Sequence, residues 1–288
     1  MKRTAIIIAV MGMGVWSFGQ SNAKPAQNPP AGQAAGQAAA APQGKRPPQA
    51  KTQPEFDAFN AARLLPDPAA VEKAADDFAT KFPDSELRVE LYKTAMQKYQ
   101  QANNADKMLE MAQKALIYDA DEPQALLGAA QVLAERTRET DLDKDQRLAE
   151  AKKDAEHALV TIDTDVPSTG YPPEQLNAYK GFLRSQAHVI LGTLAFNAKN
   201  WPDSETNLRK SIDDFPQQLD AVAVFRLAVA LDMQNKIPEA IKYIDQAMDL
   251  TKDRPDTGVG RAVRTEKDRL TKLNSGTAPG QNPTPPKN

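Results

Sequence analysis

The stretch Ala187-His-Val-Ile-Leu-Gly-Thr-Leu-Ala-Phe-Asn-Ala-Lys-Asn-Trp-Pro-Asp-Ser-Glu-Thr-Asn-Leu-Arg-Lys-Ser-Ile-Asp-Asp-Phe-Pro216 decides the fold. Its apolar residues recur at helical spacing in two runs, with Leu191, Gly192 and Ala195 on the first and Ser204, Leu208 and Ser211 on the second. Asn200-Trp201 turns the chain between them, and Pro216 ends the second run. Small residues are needed where paired helices cross closely. Gly192 and Ser204, twelve apart, fit one crossing, and Ser211, seven further on, fits the crossing with the next pair.

The same intervals recur along the chain. Ala228, Leu231, Ala240, Ile244 and Ala247 repeat the pattern 36 residues later, with Asn235-Lys236-Ile237 as the turn. Tyr92, Ala95, Met96, Tyr99, Met108, Ala112 and Ala115 form an earlier copy turning at Asn103-Asn104, in which Met108 is large for its position. Leu126, Ala129, Ala130 and Leu133 follow 34 residues after Tyr92, Ala95, Met96 and Tyr99, with Ala151, Ala155 and Ala158 on the second helix after a nine-residue insertion. A degenerate first unit carries Phe56, Phe59 and Ala62, then Asp67-Pro68 as a helix start, then Val71, Ala75 and Phe78. Val259, Val263, Leu270 and Leu273 mark a final capping helix. From about Glu174 to Ala198 the spacing gives a helix longer than one repeat allows. Its Leu176, Tyr179 and Phe182 either project or, as expected, pack on the preceding pair.

These intervals resemble those of tetratricopeptide repeats over about 220 of the 288 residues. The expected fold is therefore all-α: a right-handed superhelical solenoid of antiparallel helix pairs, about five units and a cap, spanning residues 54–273. The resemblance implies a concave groove lined by repeat positions 2, 5, 9, 12 and 13. In the fourth unit these are Gln186, Val189, Thr193, Phe196 and Asn197, and in the fifth Val222, Phe225, Val229, Asp232 and Met233. In the second they are the polar Glu90, Lys93, Gln97, Gln100 and Gln101. Two readings stand for the apolar C-terminal end: a groove that takes an apolar peptide or helix, or a face filled by the capping helix and neighbouring helices. A subclass of the family grips a carboxylate with a ring of Lys, Asn and Arg. At the matching positions only Lys93 and Arg226 are basic, on distant repeats.

The ends read differently. Lys2-Arg3, the apolar run Thr4–Trp16 and small-residue sites after Gly19 or Ala23 suggest a signal peptide over residues 1–23, hence a periplasmic or secreted protein. Residues 24–53, rich in Ala, Gln, Pro and Gly with four basic residues and no acid, read as a disordered tether, and 274–288 as a disordered tail. The chain has no cysteine, which removes disulfides, thiolate metal sites and direct lipid anchoring. All 38 acidic residues and 29 of the 36 basic ones fall between Pro54 and Leu273, so the body carries about −9, which argues against nucleic acid.

Chemistry-bearing patterns are sparse. Asp141-Leu-Asp-Lys-Asp145 imitates a calcium loop, but the required Gly and twelfth-position carboxylate are replaced by Gln146 and Lys152. His157 and His188 lie in different repeats without a triad or metal partner at sequence spacing, and no phosphate loop or HExxH is present. The reading is a non-enzymatic, cofactor-free protein that binds a protein or peptide partner as an envelope adaptor. The alternative is a structural component of an outer-membrane or secretion assembly docking by its convex face.

Overall fold

The computed structural model describes residues 45–168 and 172–275. Among these residues the chain forms eleven helices and no strand. They fall into five pairs: α1 (Gln53–Arg63) with α2 (Pro68–Lys81), α3 (Leu87–Gln101) with α4 (Ala105–Tyr118), α5 (Pro123–Arg136) with α6 (Lys144–Thr164), α7 (Pro173–Asn197) with α8 (Trp201–Asp214), and α9 (Ala221–Asp232) with α10 (Ile237–Thr251). The last helix, α11 (Gly258–Asn274), caps the array. Each helix packs on the next in sequence, and each odd-numbered helix also touches the following odd-numbered one. Even-numbered helices show no comparable packing among the described residues, so the odd helices form the inner layer and the even ones the outer layer of a solenoid.

The intra-pair turns explain why the spacing was so regular. Asn103, Lys199 and Asn235 are the non-glycine residues with positive φ among the described residues, at 55°, 58° and 60°. Each ends an inner helix in the same way. The N–H of Asn103 bonds Gln100 O and that of Asn104 bonds Tyr99 O; Lys199 and Asn200 reach Phe196 and Ala195, and Asn235 and Lys236 reach Asp232 and Leu231. This left-handed cap satisfies the final carbonyls and reverses the chain within two residues. Asn104 and Asn200 then cap the outer helices through their side chains, on Lys107 N at 3.1 Å and Asp203 N at 3.4 Å. The third pair lacks the motif, and the insertion fills that turn.

The small residues sit where the intervals placed them. Ser204 is fully buried and donates to Gly192 O at 3.1 Å, while a Cβ on Gly192 would lie 2.7 Å from Leu208 Cγ. Ser211 is buried and donates to Leu208 O at 2.8 Å, and its own carbonyl accepts from Ser185 at 2.7 Å. The oversized Met108 fits because Gly128 faces it and Met96: a Cβ there would meet Met96 Sδ at 2.5 Å and Met108 Cε at 3.6 Å. In the first pair, Phe59 meets Phe78 edge-on at 6.5 Å, and Phe78 meets Phe82 at 4.9 Å.

The core divides into three clusters that each cross a repeat boundary, centred on Leu91 and Met111, on Ile162 and Leu183, and on Leu208, Leu227 and Ile244. Burying each such side chain contributes roughly 1.5–3 kcal/mol. The first turns of α7 do not project. Leu176, Tyr179 and Phe182 pack against the middle cluster, Phe182 meets Phe215 edge-on at 5.6 Å, and Gly181 allows Asp214 O to lie 2.6 Å from where a Cβ would be.

One boundary needs correction. Of the segment expected to be a tether over 24–53, residues 45–52 run against the body and Gln53 already belongs to α1. Thr52 caps α1 through Glu55 N at 3.3 Å, and buried Glu55 accepts the Lys51 N–H at 2.7 Å, so helix and strap are locked together. Residues 24–44, the signal reading over 1–23 and residues 276–288 of the expected tail lie outside the described residues. At the other end α11 runs to Asn274, one residue past the expected 273.

Candidate functional site

The inner layer is where the repeat positions placed a binding face, and its two halves differ. In the N-terminal half, α5 is buried nearly all round, from Ala125 to Ala130 and from Val132 to Ala134. Leu127, at the fifth repeat position, joins the cluster that Leu176, Tyr179 and Leu183 of α7 complete. Beside it Lys93 is enclosed, its side chain 13% exposed, with Glu90 at 2.9 Å and Glu122 at 3.2 Å. Burial opposes charge on Lys93, but Glu122 and Glu90 outweigh it and hold the ammonium above its ordinary value. Burial pushes the Glu122 carboxyl up, against the pull of Lys93 and helped by the neighbouring Glu90.

The C-terminal half contains the ten residues expected to bind a partner, and the structure brings them together on α7, α9 and the turns that follow. It also buries half of them. Phe196 and Phe225 are each 5% exposed, Thr193 4%, Val229 3% and Asp232 8%. Phe196 stacks edge-on with Trp201 at 5.4 Å, and Phe225 and Val229 belong to the C-terminal core. Asp232 is paired with Arg269 of α11, which also binds Glu266 at 2.8 Å. Burial wins over that shared guanidinium and pushes the Asp232 carboxyl above its ordinary value. As contact residues for a partner these five are corrected: neighbouring helices and the cap occupy them. Val189, Val222, Met233 and Gln186 are half-buried, and Asn197 is exposed.

A neighbour of this set stands out, a residue that the sequence weighed only as a member of a carboxylate-gripping ring. Arg226, one residue after Phe225 on α9, is half-buried and donates from Nη1 to Thr193 Oγ1 at 2.9 Å. Among the described residues no carboxylate lies within ion-pair distance of it. Burial pulls its pKa below the ordinary guanidinium value, and the more distant Asp220 and Glu135 only partly offset that cost. The signal for it was present, a lone basic residue on an apolar inner helix.

The two histidines each face an acid near an inter-repeat junction, His157 on Asp121 of the α4–α5 loop at 2.8 Å and His188 on Asp214, the last residue of α8, at 2.6 Å. The nearby Ser185 hydroxyl is spent on Ser211 O. Among the described residues no group of three His, Cys, Asp or Glu could hold a metal ion, and no helix is long and apolar enough to cross a membrane.

No family model matches the chain, and no curated protein does. Among solved structures, residues 1–338 of the Assembly Chaperone of RpL4 (Acl4) are similar at 12% identity with a TM-score of 0.37, over 77% of this chain and 99% of that one. An overlap that loose bears on neither partner nor activity.

Proposed function

We propose that the chain is a non-enzymatic scaffold that binds a partner protein segment on the inner face of its fourth and fifth pairs, around Arg226. The observation that supports this is a half-buried guanidinium with a hydroxyl partner and, among the described residues, no carboxylate within ion-pair distance, near Val189 and Val222. A desolvated cation gains most from an acid that arrives already shielded from water. The partner is therefore an acidic group on an otherwise apolar segment. The spacing resemblance to tetratricopeptide repeats and the N-terminal pattern of charge, apolar run and small residues support an exported protein of that kind, working in the envelope or outside the cell.

The test is affinity capture from the native extract with wild type and Arg226→Gln, using Lys242→Gln on the outer layer as control. The expected outcome is a partner recovered by wild type and the control but reduced roughly tenfold or more by Arg226→Gln. Identical recovery by all three would sink the assignment.

One observation favours docking through the outer layer as a second reading. Ile117 and Val160 occupy the same repeat position on α4 and α6 and are 76% and 68% exposed, where the counterparts on α2, α8 and α10 are the polar Thr80, Asp213 and Asp249. Under that reading Ile117→Ser with Val160→Ser dissolves a large native complex that Arg226→Gln leaves intact, as seen by size separation.

A further inference from the structure

In a repeat array each pair touches only its neighbours, so stability is a sum of local junctions. Residues 45–52 break that rule. Lys45 N–H bonds Thr164 O at 2.8 Å, at the end of α6, and its ammonium pairs with Asp119 and with Asp165 at 3.4 Å. Arg46 grips Glu86 with both arms of its guanidinium, Nη1 at 2.9 Å, and Lys51 donates to Asp84 O at 2.7 Å. Asp84 and Glu86 lie between α2 and α3, Asp119 between α4 and α5, and Asp165 between α6 and α7. The strap therefore crosses three successive inter-repeat junctions on one edge of the solenoid. The reach agrees: six extended residues span at most about 20 Å, and helices packed 8–10 Å apart place three junctions across about that distance.

The attachment is mainly ionic. Lys45 and Arg46 side chains are 41% and 61% exposed, and half-buried Ala50 supplies the apolar contact with the N-terminal core. Exposed pairs of this kind are weak singly and screened by salt.

We infer that residues 45–52 are an ionic brace that couples the first three junctions into one cooperative block and lets go as ionic strength rises or as its charges are reversed. The brace adds a coupling between non-adjacent pairs, which among the described residues the C-terminal pairs lack.

Hydrogen exchange on the full chain reads this directly, comparing wild type, Arg46→Glu, and Arg46→Glu combined with Glu86→Arg. At low salt the amides of α1 and of the α2–α3 and α4–α5 junctions in Arg46→Glu should exchange roughly tenfold faster than in wild type, while those of α9 and α10 keep their rates. Wild type near 1 M salt, where screening acts within about 3 Å, should approach the Arg46→Glu pattern. The charge-swapped double variant should return to wild-type rates, which distinguishes a specific pair from general damage. Helix content by circular dichroism, unchanged across the three, confirms that each is folded. Unchanged rates in Arg46→Glu, a uniform acceleration over all five pairs, or failure of the swap to restore protection would each overturn the brace.

Discussion

Helices α5 and α9 hold equivalent places in the inner layer, and both are apolar almost all round, yet they end up as different surfaces. On α5 the sixth repeat position is Gly128, so close to Met96 that there is no room for a Cβ without moving the Met96 thioether. On α9 the same position is Arg226, a half-buried cation bonded to the Thr193 hydroxyl. The first turns of α7 close the face of α5, whereas α11 meets α9 through the Arg269–Asp232 pair and the buried Val263 and Leu270. An array of near-identical units can thus confine exposure to one place by extending a neighbouring helix over the rest. The repeat position alone says which face a residue occupies. The neighbour's length says whether that face is open.

The comparison breaks most visibly at the fifth repeat position. Phe225→Ala on α9 should cost about 4 kcal/mol and Leu127→Ala on α5 about 3 kcal/mol, measured by urea midpoint, because both are core residues. A cost below about 1 kcal/mol at either site would show that helix face to be open after all.

Two of the close-packed glycines sharpen it next. Gly192→Ala should lose about 2 kcal/mol, since Leu208 is fully buried and cannot retreat. Gly128→Ala should lose less than about 1 kcal/mol, because the obstructing Met96 sulfur lies on a flexible side chain. Equal losses would mean that Met96 is held as rigidly as Leu208.

A smaller effect separates the outer layer of the third pair from the others. Burial, helped by Glu150, pushes Asp154 up to about 6. The raised value favours the neutral acid in the folded chain, so stability falls as pH rises from about 4 through 6. Asp154→Asn should therefore raise stability at pH 7.5 by about 1 kcal/mol after allowance for solvent screening, with the gain vanishing towards pH 4. A gain that persists at pH 4 would point to a cause other than ionisation.

The opposite sign holds at Glu72 and Glu205. Burial would raise both, but Lys107 and Tyr99 hold Glu72 below its ordinary range, as Lys236, Arg209 and Gln234 hold Glu205. These depressed carboxyls stabilise the fold above their unfolded pKa, and the contribution is lost as pH falls below about 4.5 through the folded values. Thermal melts should show Glu72→Gln and Glu205→Gln weakening the chain at pH 7 and making little difference near pH 3.

Much of this fold was legible because its signals are local. Gly192, Ser204 and Ser211 report helix crossings at fixed intervals, and Asn103 and Asn235 supply the left-handed turns those intervals require. The candidate site was legible only in part. Periodicity put Phe196 and Phe225 on the inner face correctly, but their burial depends on Trp201 and on neighbouring helices whose angle no interval encodes. Asp232 is closed by Arg269, 37 residues later in the chain. The strap was hidden by averaging: four basic residues over thirty look diffuse, whereas Arg46 meets Glu86, Lys51 the Asp84 carbonyl, and Lys45 acids as far along the chain as Asp165, in loops that only the stacking aligns. Composition measures how much charge a segment carries and is blind to where the opposite charge will be standing.

The fastening of Lys45 beside Thr164 also sets where the upstream chain departs. It leaves from the boundary of the third and fourth pairs, close to the middle of the array, although α1 is at its tip. Tension drawn along the array's axis would load the strap's three attachments side by side in shear, so that α1 is spared until all of them fail together.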